Sequence, residues 1–478
     1  MMSAAGSAAR RQIIAGAALG LYAAAFAIVP GIALKAALCA PLILIPTIWW
    51  VLNGARRWLL LFLLAALLLP PLPFAIGNSG PHVALLFAAA GVFIGLLRLS
   101  EWQFQSDDLT MTILALFAVL AGSITMAALY SGFVIAAGSF ARVLLFGISV
   151  YVFLYVRHGP AVREDSFRLI RILFWAASAS ALFACVDFYF QFPAPAGYGP
   201  QFIWLDTGVF RRAQGFFYEA STLGNLCACF LLMIAVALFR PRKERPVPIA
   251  AMLAGGTALA AALVLSYSRA SLLNLGVALT VLLWLHRKRI RVGQWFASLI
   301  VFASACAAIL TGAFPVFTEA YWMRLRLSVE YFVESPNAVL SGRLRSWEVL
   351  RDFLFAHPWY AVLGVGYKTL PYSHFIGTTA IADNTYLSML AETGIIGLFA
   401  VVCLNAVILR AAYRASRASD ARRSFCGTWM LCFWAGQVVQ MLSADLLTYW
   451  RVLPVYFCVL ALAARGESHE HSVSRSIQ

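Results

Sequence analysis

The sequence predicts an all-α, polytopic membrane helix bundle of about 12 to 14 spans with one large inserted loop, and three observations predict it. Hydrophobic residues fill 62% of the 478 positions and charged residues only 12%, more apolar side chain than a soluble core of this length can bury. Apolar runs of about 17 to 25 residues recur from residue 13 to residue 464, with one long interruption. Basic residues cluster after every second run, the alternation that the positive-inside rule produces.

The runs place spans near residues 13–29, 33–52, 58–76, 83–97, 109–129, 136–156, 168–189, 216–239, 249–265, 270–285, 295–313, 386–409, 424–444 and 450–464. The N-terminal stretch after Arg10 and Arg11 has no convincing small-residue cleavage site before Pro30 and reads as an uncleaved first span. Clusters at Arg10 and Arg11, Arg56 and Arg57, Arg98, residues 157–171, 240–245, 287–291 and 410–423, and Arg465 put both termini in the cytoplasm. The expected organisation is an N-terminal transmembrane bundle over 1–313, a large periplasmic loop over 314–385, C-terminal transmembrane helices over 386–465 and a cytoplasmic tail over 466–478.

The net charge of +16 is accounted for by these topogenic clusters, so the expected surroundings are membrane lipids and nucleic acid is not an expected partner. The nine cysteines all fall in predicted spans without metal-ligand spacing, and neither disulfides, a metal nor any cofactor is expected. Arginine far outnumbers lysine, which suits recognition of phosphate or carboxylate because a guanidinium forks onto two oxygens.

The loop over 314–385 is patterned like structure rather than like a linker. Tyr321 to Phe332 and Leu344 to Phe355 carry apolar residues at helical spacing, the second with Trp347, Leu350, Phe353 and Leu354 on one face. Both are expected to be amphipathic helices on the membrane surface or capping the bundle. Pro358 ends the second, and Gly364 and Gly366 mark a turn.

Three segments on the non-cytoplasmic side break the orientation rule by carrying arginines: 190–215, 266–270 and 314–385. Arg269, in Ser266-Tyr267-Ser268-Arg269, sits where two apolar runs meet; a charge costs about 2.5–3.5 kcal/mol at a helix centre and less toward the interface, so it snorkels or holds an anion. Arg211 and Arg212 stand before a span with Glu219 near its start and Asn225 further in, and form either an ion pair with Glu219 or a ligand contact. Ser341-Gly342-Arg343 opens the second amphipathic helix, where Arg343 is either solvated or aimed at an anion. Asp383 and Asn384 lead directly into an apolar helix that carries Glu392, Gly394 and Gly397. Either Asp383 or Asn384 caps that helix, or Asp383 acts as a base at the mouth of the bundle, with His374 as the other candidate base nearby. Arginine-rich segments beside a carboxylate suit a diphosphate leaving group at a membrane surface.

These motifs resemble the bacterial O-antigen ligase and O-antigen polymerase superfamily. The likeness is sharpest over 341–397: Gly342-Arg343, His357-Pro358, Gly364-Val365-Gly366, then Asn384 followed after nine residues by Gly394 and by Gly397. It extends more loosely to Ser266-Tyr267-Ser268-Arg269 and to Arg211 or Arg212. Asp383 stands where the ligase motif has its catalytic histidine, a position at which the related polymerases are looser. The resemblance implies a metal-independent glycosyltransferase at the periplasmic face of the inner membrane. The implied donor is an undecaprenyl-diphosphate-linked glycan and the implied acceptor a glycan or a lipid A core. Arg211, Arg212, Arg269, Arg343 and Asn384 would bind substrate, and Asp383 or His374 would be catalytic. Because an aspartate of ordinary pKa is a weak base for a sugar hydroxyl, Asp383 in that role requires desolvation. The rival readings are a transporter of a small anion or lipid-linked sugar, whose charges are expected nearer the bilayer midplane, and a structural partner in a polysaccharide export assembly.

Overall fold

The computed structural model describes residues 56–72, 80–159, 166–195, 197–205, 208–287, 343–372 and 382–465, with isolated positions in 16–54 and 319–330. The chain divides into two compact units, residues 1–58 and 59–478. In the first, the Arg57 guanidinium lies 4.5 Å from the Trp50 ring centroid and donates to the Trp50 carbonyl oxygen at 2.6 Å. The second unit holds the helix bundle and all of the candidate site residues within the described part of the chain.

The described elements are almost entirely helical: α1 (Arg57–Leu68), α2 (Ala84–Leu97), α3 (Asp108–Ser131), α4 (Phe133–His158), α5 (Ser166–Phe190), α6 (Ala220–Leu238), α7 (Ile249–Leu265), α8 (Arg269–His286), α9 (Arg343–Ala356), α10 (Pro358–Leu363), α11 (Thr385–Ser416), α12 (Ala421–Gln440) and α13 (Leu453–Ala464). Of these, α3, α4, α5, α6, α8 and α11 are long and apolar enough to cross a membrane, and α1, α2, α7 and α13 are shorter apolar helices. Eleven expected spans therefore appear as helices, while those near 13–29, 33–52 and 295–313 lie outside the continuously described residues. So do the amphipathic helix expected over 321–332, most of the loop over 314–385 and the tail from residue 466. One small departure from an all-helical chain is a hairpin of β1 (Phe202–Leu205) and β2 (Gly208–Arg211), antiparallel with Phe202 opposite Arg211.

Helix α13 is buried along all 12 of its residues, as a helix apolar on every face must be. It packs on α4 and α12, while α12 also packs on α8 and α11, and α11 on α3. Inside this bundle α12 is less apolar than a lipid-facing span and contributes to a buried amide cluster. Asn225 of α6 and Asn274 of α8 each donate from Nδ2 to Gln440 Oε1 at 2.7 and 2.8 Å. Gln437 Nε2 and the Tyr456 hydroxyl donate to Asn225 Oδ1 at 3.1 and 2.6 Å. Away from water these groups have only one another to satisfy, so the cluster locks α6, α8, α12 and α13 in register.

The C-terminal part of the large loop docks on a break in α11. Gly394 has φ 71° and ψ −170°, interrupting the helical hydrogen bonding, and the carbonyls of Ala391 and Glu392 accept instead from the backbone amides of Val365 (3.2 Å) and Gly366 (2.8 Å). Gly364 and Gly366 both have positive φ, and a Cβ on Gly364 would collide with the Glu392 carbonyl. The expected amphipathic helix is α9, with Leu350, Phe353 and Leu354 buried against Val365 and Ala391 and with Trp347 Nε1 donating to the Ala382 carbonyl at 2.6 Å. Pro358 both ends α9 and occupies the first turn of α10, where its missing N–H has no helical partner to lose. Gly394→Ala would force a Cβ into a left-handed residue and against the Val362 carbonyl. Backbone strain alone is expected to cost about 1–3 kcal/mol, seen as a lower unfolding midpoint in detergent, whereas Gly122→Ala, with open space around it, leaves the midpoint unchanged.

Candidate functional site

Among the described residues, every non-glycine residue with positive φ lies at one end of the bundle: Gln191 after α5, Tyr218 before α6, Tyr267 between α7 and α8, Lys368 in the loop and Asp383 before α11. Each such position costs about 1–3 kcal/mol, and clusters of them mark places where surrounding contacts dictate an unusual backbone. Most of the sequence-predicted site residues gather here.

The chain between β2 and α6 lies against the α7–α8 turn. Ala213 donates its amide to the Leu265 carbonyl at 2.9 Å, and Arg212 Nε donates to the Ser266 carbonyl at 2.8 Å. Gly224 makes the close approach possible, because a Cβ there would come within 2.9 to 3.0 Å of the side chains of Ser271, Ser266 and Ser268. Ser268 caps α8 by accepting from the Ser271 amide, which sets Arg269 as the first residue of that helix. Arg212 thus comes within electrostatic range of Arg269 and of Arg343 at the start of α9. Burial first, and then these two like charges, hold the Arg212 guanidinium below its ordinary pKa against the opposing influence of Tyr449 and Glu219. Arg212 therefore lies in the field of two further guanidinium groups from segments far apart in sequence.

Arg343 Nε meets Asp383 Oδ2 at 3.3 Å, with the Asp383 side chain 48% exposed. Asn384 is the N-cap of α11, its Oδ1 accepting from the Leu387 amide at 3.1 Å, so the capping role falls to Asn384 and leaves the Asp383 carboxylate to Arg343. Glu219 occupies the N-cap position of α6 and lies in the field of Arg212, Asp383 and Asp445; burial holds its carboxyl above the usual carboxylate range. His374, Ser341 and Gly342 lie outside the described residues.

Arg211 is placed differently from its neighbour. The sequence allowed an ion pair between Glu219 and one of the two arginines, but Arg211 Nη2 instead lies 3.3 Å from Asp187 Oδ2 of α5, both side chains largely buried. Strand geometry explains the split, because successive residues at the end of β2 point to opposite faces.

Sequence reasoning missed three charged groups. Lys368 is ion-paired with Asp445 in the loop between α12 and α13 and lies 3.8 Å from Glu392 of α11. Burial acts to lower the Lys368 pKa, but the two carboxylates override it and hold it above the ordinary range. Arg451 is buried, donating to the carbonyls of Ala66 (2.8 Å), Leu69 (2.7 Å) and Phe216, with its guanidinium 4.8 Å from the Phe217 ring centroid. It ties the C-terminal end of α1 to the chain before α6. The available signal was position: Asp445 falls between two predicted spans and Arg451 just inside the second, where an ionised group in apolar sequence needs a partner.

Residues 254–402 match the O-Antigen ligase family. That segment is similar to the O-antigen ligase family and supports the resemblance to the O-antigen ligase and polymerase superfamily. The match runs from α7 through Arg269, Arg343, the docked loop and the break in α11, and leaves Arg212, Glu219 and Asp445 outside it. It supports an O-antigen ligase-like function in glycan biosynthesis by a multi-pass membrane protein, with a lipid-linked glycan and an acceptor as the general substrate classes. No curated protein matches the chain.

Arg211→Ala is expected to strand the buried Asp187 carboxylate and cost about 3–5 kcal/mol of stability, read as a lower unfolding midpoint in detergent. Adding Asp187→Asn to the same chain should recover most of the loss.

Proposed function

We propose that the protein transfers or polymerises a glycan from an undecaprenyl-diphosphate-linked donor at the periplasmic face of the inner membrane, in lipopolysaccharide or exopolysaccharide biosynthesis. The convergence of Arg212, Arg269 and Arg343 carries this reading, because guanidinium groups brought together from three separate segments gain from an anion with several oxygens. Arg211 pairs with Asp187, and the reading rests on the other three.

In this reading the donor diphosphate lies across the three arginines, with its polyprenyl chain in lipid beside the bundle. An acceptor hydroxyl attacks the anomeric carbon of the reducing-end sugar, the new glycosidic bond forms, and the carbon–oxygen bond to phosphate breaks with both electrons going to the lipid diphosphate. The arginines neutralise that growing charge, which makes the reaction metal-independent. A carboxylate takes the acceptor proton. Asp383, the position the family resemblance singles out, stands in contact with Arg343, and Asn384 positions it by capping α11. Through Lys368, which bridges Asp445 and Glu392, the docked loop is tied to α11 and to the α12–α13 connection, so the loop and the arginine cluster are held as one unit.

Arg212→Ala, Arg269→Ala and Arg343→Ala are each expected to lower transfer by about 10²–10³-fold, the scale for losing one donor to a developing anion, with normal membrane insertion. Full activity in all three would remove the clamp. The function itself is tested with purified protein in lipid and a lipid-diphosphate-linked oligosaccharide. A ladder of longer glycans from donor alone identifies a polymerase, transfer of one glycan only after lipid A core is added identifies a ligase, and no product in either condition sinks the reading.

A further inference from the structure

Asp187, Glu219, Asp383, Glu392 and Asp445 lie on the segments that meet around this end of the bundle, and four of the five form ion pairs. Asp187 pairs with Arg211, Asp383 with Arg343, and Asp445 and Glu392 with Lys368. Glu219 is the member of the five that takes part in no ion pair among the described residues.

The ordinary role for an acidic residue at a helix N-cap is to accept from the first amides of the helix. Glu219 does not do this: it makes no side-chain capping bond, and the Ala220 amide is taken instead by Gln201 Oε1 at 3.0 Å. Its side chain accepts from Thr222 Oγ1 at 2.7 Å through Oε2, which leaves Oε1 as the oxygen able to take a proton. It is also central to the site, in the field of Arg212 from the preceding chain, of Asp383 at the head of α11, and of Asp445 and Tyr449 from the α12–α13 connection.

We infer that Glu219, rather than Asp383, is the general base that receives the proton of the acceptor hydroxyl. The step balances within the transfer described above, on which this inference rests: the acceptor O–H bond breaks with its proton going to Glu219 Oε1, the O–C1 bond forms, and the C1–O bond to phosphate releases the lipid diphosphate. Thr222 orients the carboxylate, and Arg212 stands where it can serve both the leaving diphosphate and the Glu219 side chain. Burial raises the Glu219 carboxyl above the usual range, which favours proton uptake there, whereas the Asp383 side chain is half-exposed and held by Arg343.

The test uses the full chain in lipid with the lipid-diphosphate oligosaccharide, measuring transfer, donor binding and the pH dependence of kcat/KM for wild type, E219Q, E219D, E219A and D383A. Glu219→Gln is expected to lose about 10²–10⁴-fold in transfer with donor affinity unchanged, and formate is expected to restore part of the activity of E219A but not of D383A. In wild type, transfer should fall as pH drops through the raised Glu219 pKa, because protonation removes the base; this acid limb should shift in E219D. Transfer by E219Q within about tenfold of wild type, or formate rescue confined to the Asp383 position, would overturn the assignment while leaving the proposed function standing. If E219Q fails to fold, the acid limb in E219D and the formate response of E219A decide between the two residues. Absence of transfer by wild type would reject both the function and the base.

Discussion

The break in α11 at Gly394 is the constraint on which the site depends. A membrane-spanning helix cannot leave backbone carbonyls without donors, so the carbonyls exposed by the break recruit the amides of Val365 and Gly366. That pairing fixes the loop to the bundle at one register. Lys368, two residues beyond Gly366, then reaches Asp445 and Glu392, while α9 packs its Leu350, Phe353 and Leu354 over the same junction. Arg343 at the start of α9 and Asp383 at the head of α11 meet because both ends are held.

The second organising feature is how arginines close together at one end of the bundle take different partners. Arg451 is committed entirely to carbonyls of α1 and of the chain before α6, and Arg211 to Asp187. Each arrangement removes the need for solvent around a buried charge. Arg212, one residue from Arg211, faces the other way and joins Arg269 and Arg343. The division follows from strand alternation and from the packing of the α7–α8 turn, which Gly224 lets approach, and not from residue type.

Much of the architecture was legible in the sequence. Span positions follow from hydropathy, and the helical face of Trp347, Leu350, Phe353 and Leu354 follows from spacing, because lipid and core both impose the 3.6-residue period. The turn at Gly364 and Gly366 was readable as well, since positive φ favours glycine. The amide cluster of Asn225, Asn274, Gln437 and Gln440 was not, because its members come from three helices and none has a local signature. Lys368 and Asp445 were missed for the same reason: an ion pair across 77 residues leaves no periodic trace in either segment.

By itself the sequence determined that the chain crosses a membrane many times, which segments break its charge alternation, and which family its loop motifs resemble. Those properties are local, set by the apolar length and charge of each segment as it meets lipid. The tertiary structure alone decided that Arg211 pairs with Asp187 while Arg212 donates to the Ser266 carbonyl, that Asn384 and not Asp383 caps α11, and that Glu219 forms no ion pair among the described residues. Such properties depend on which distant segment supplies the partner, and a buried charge takes its role from the group placed beside it.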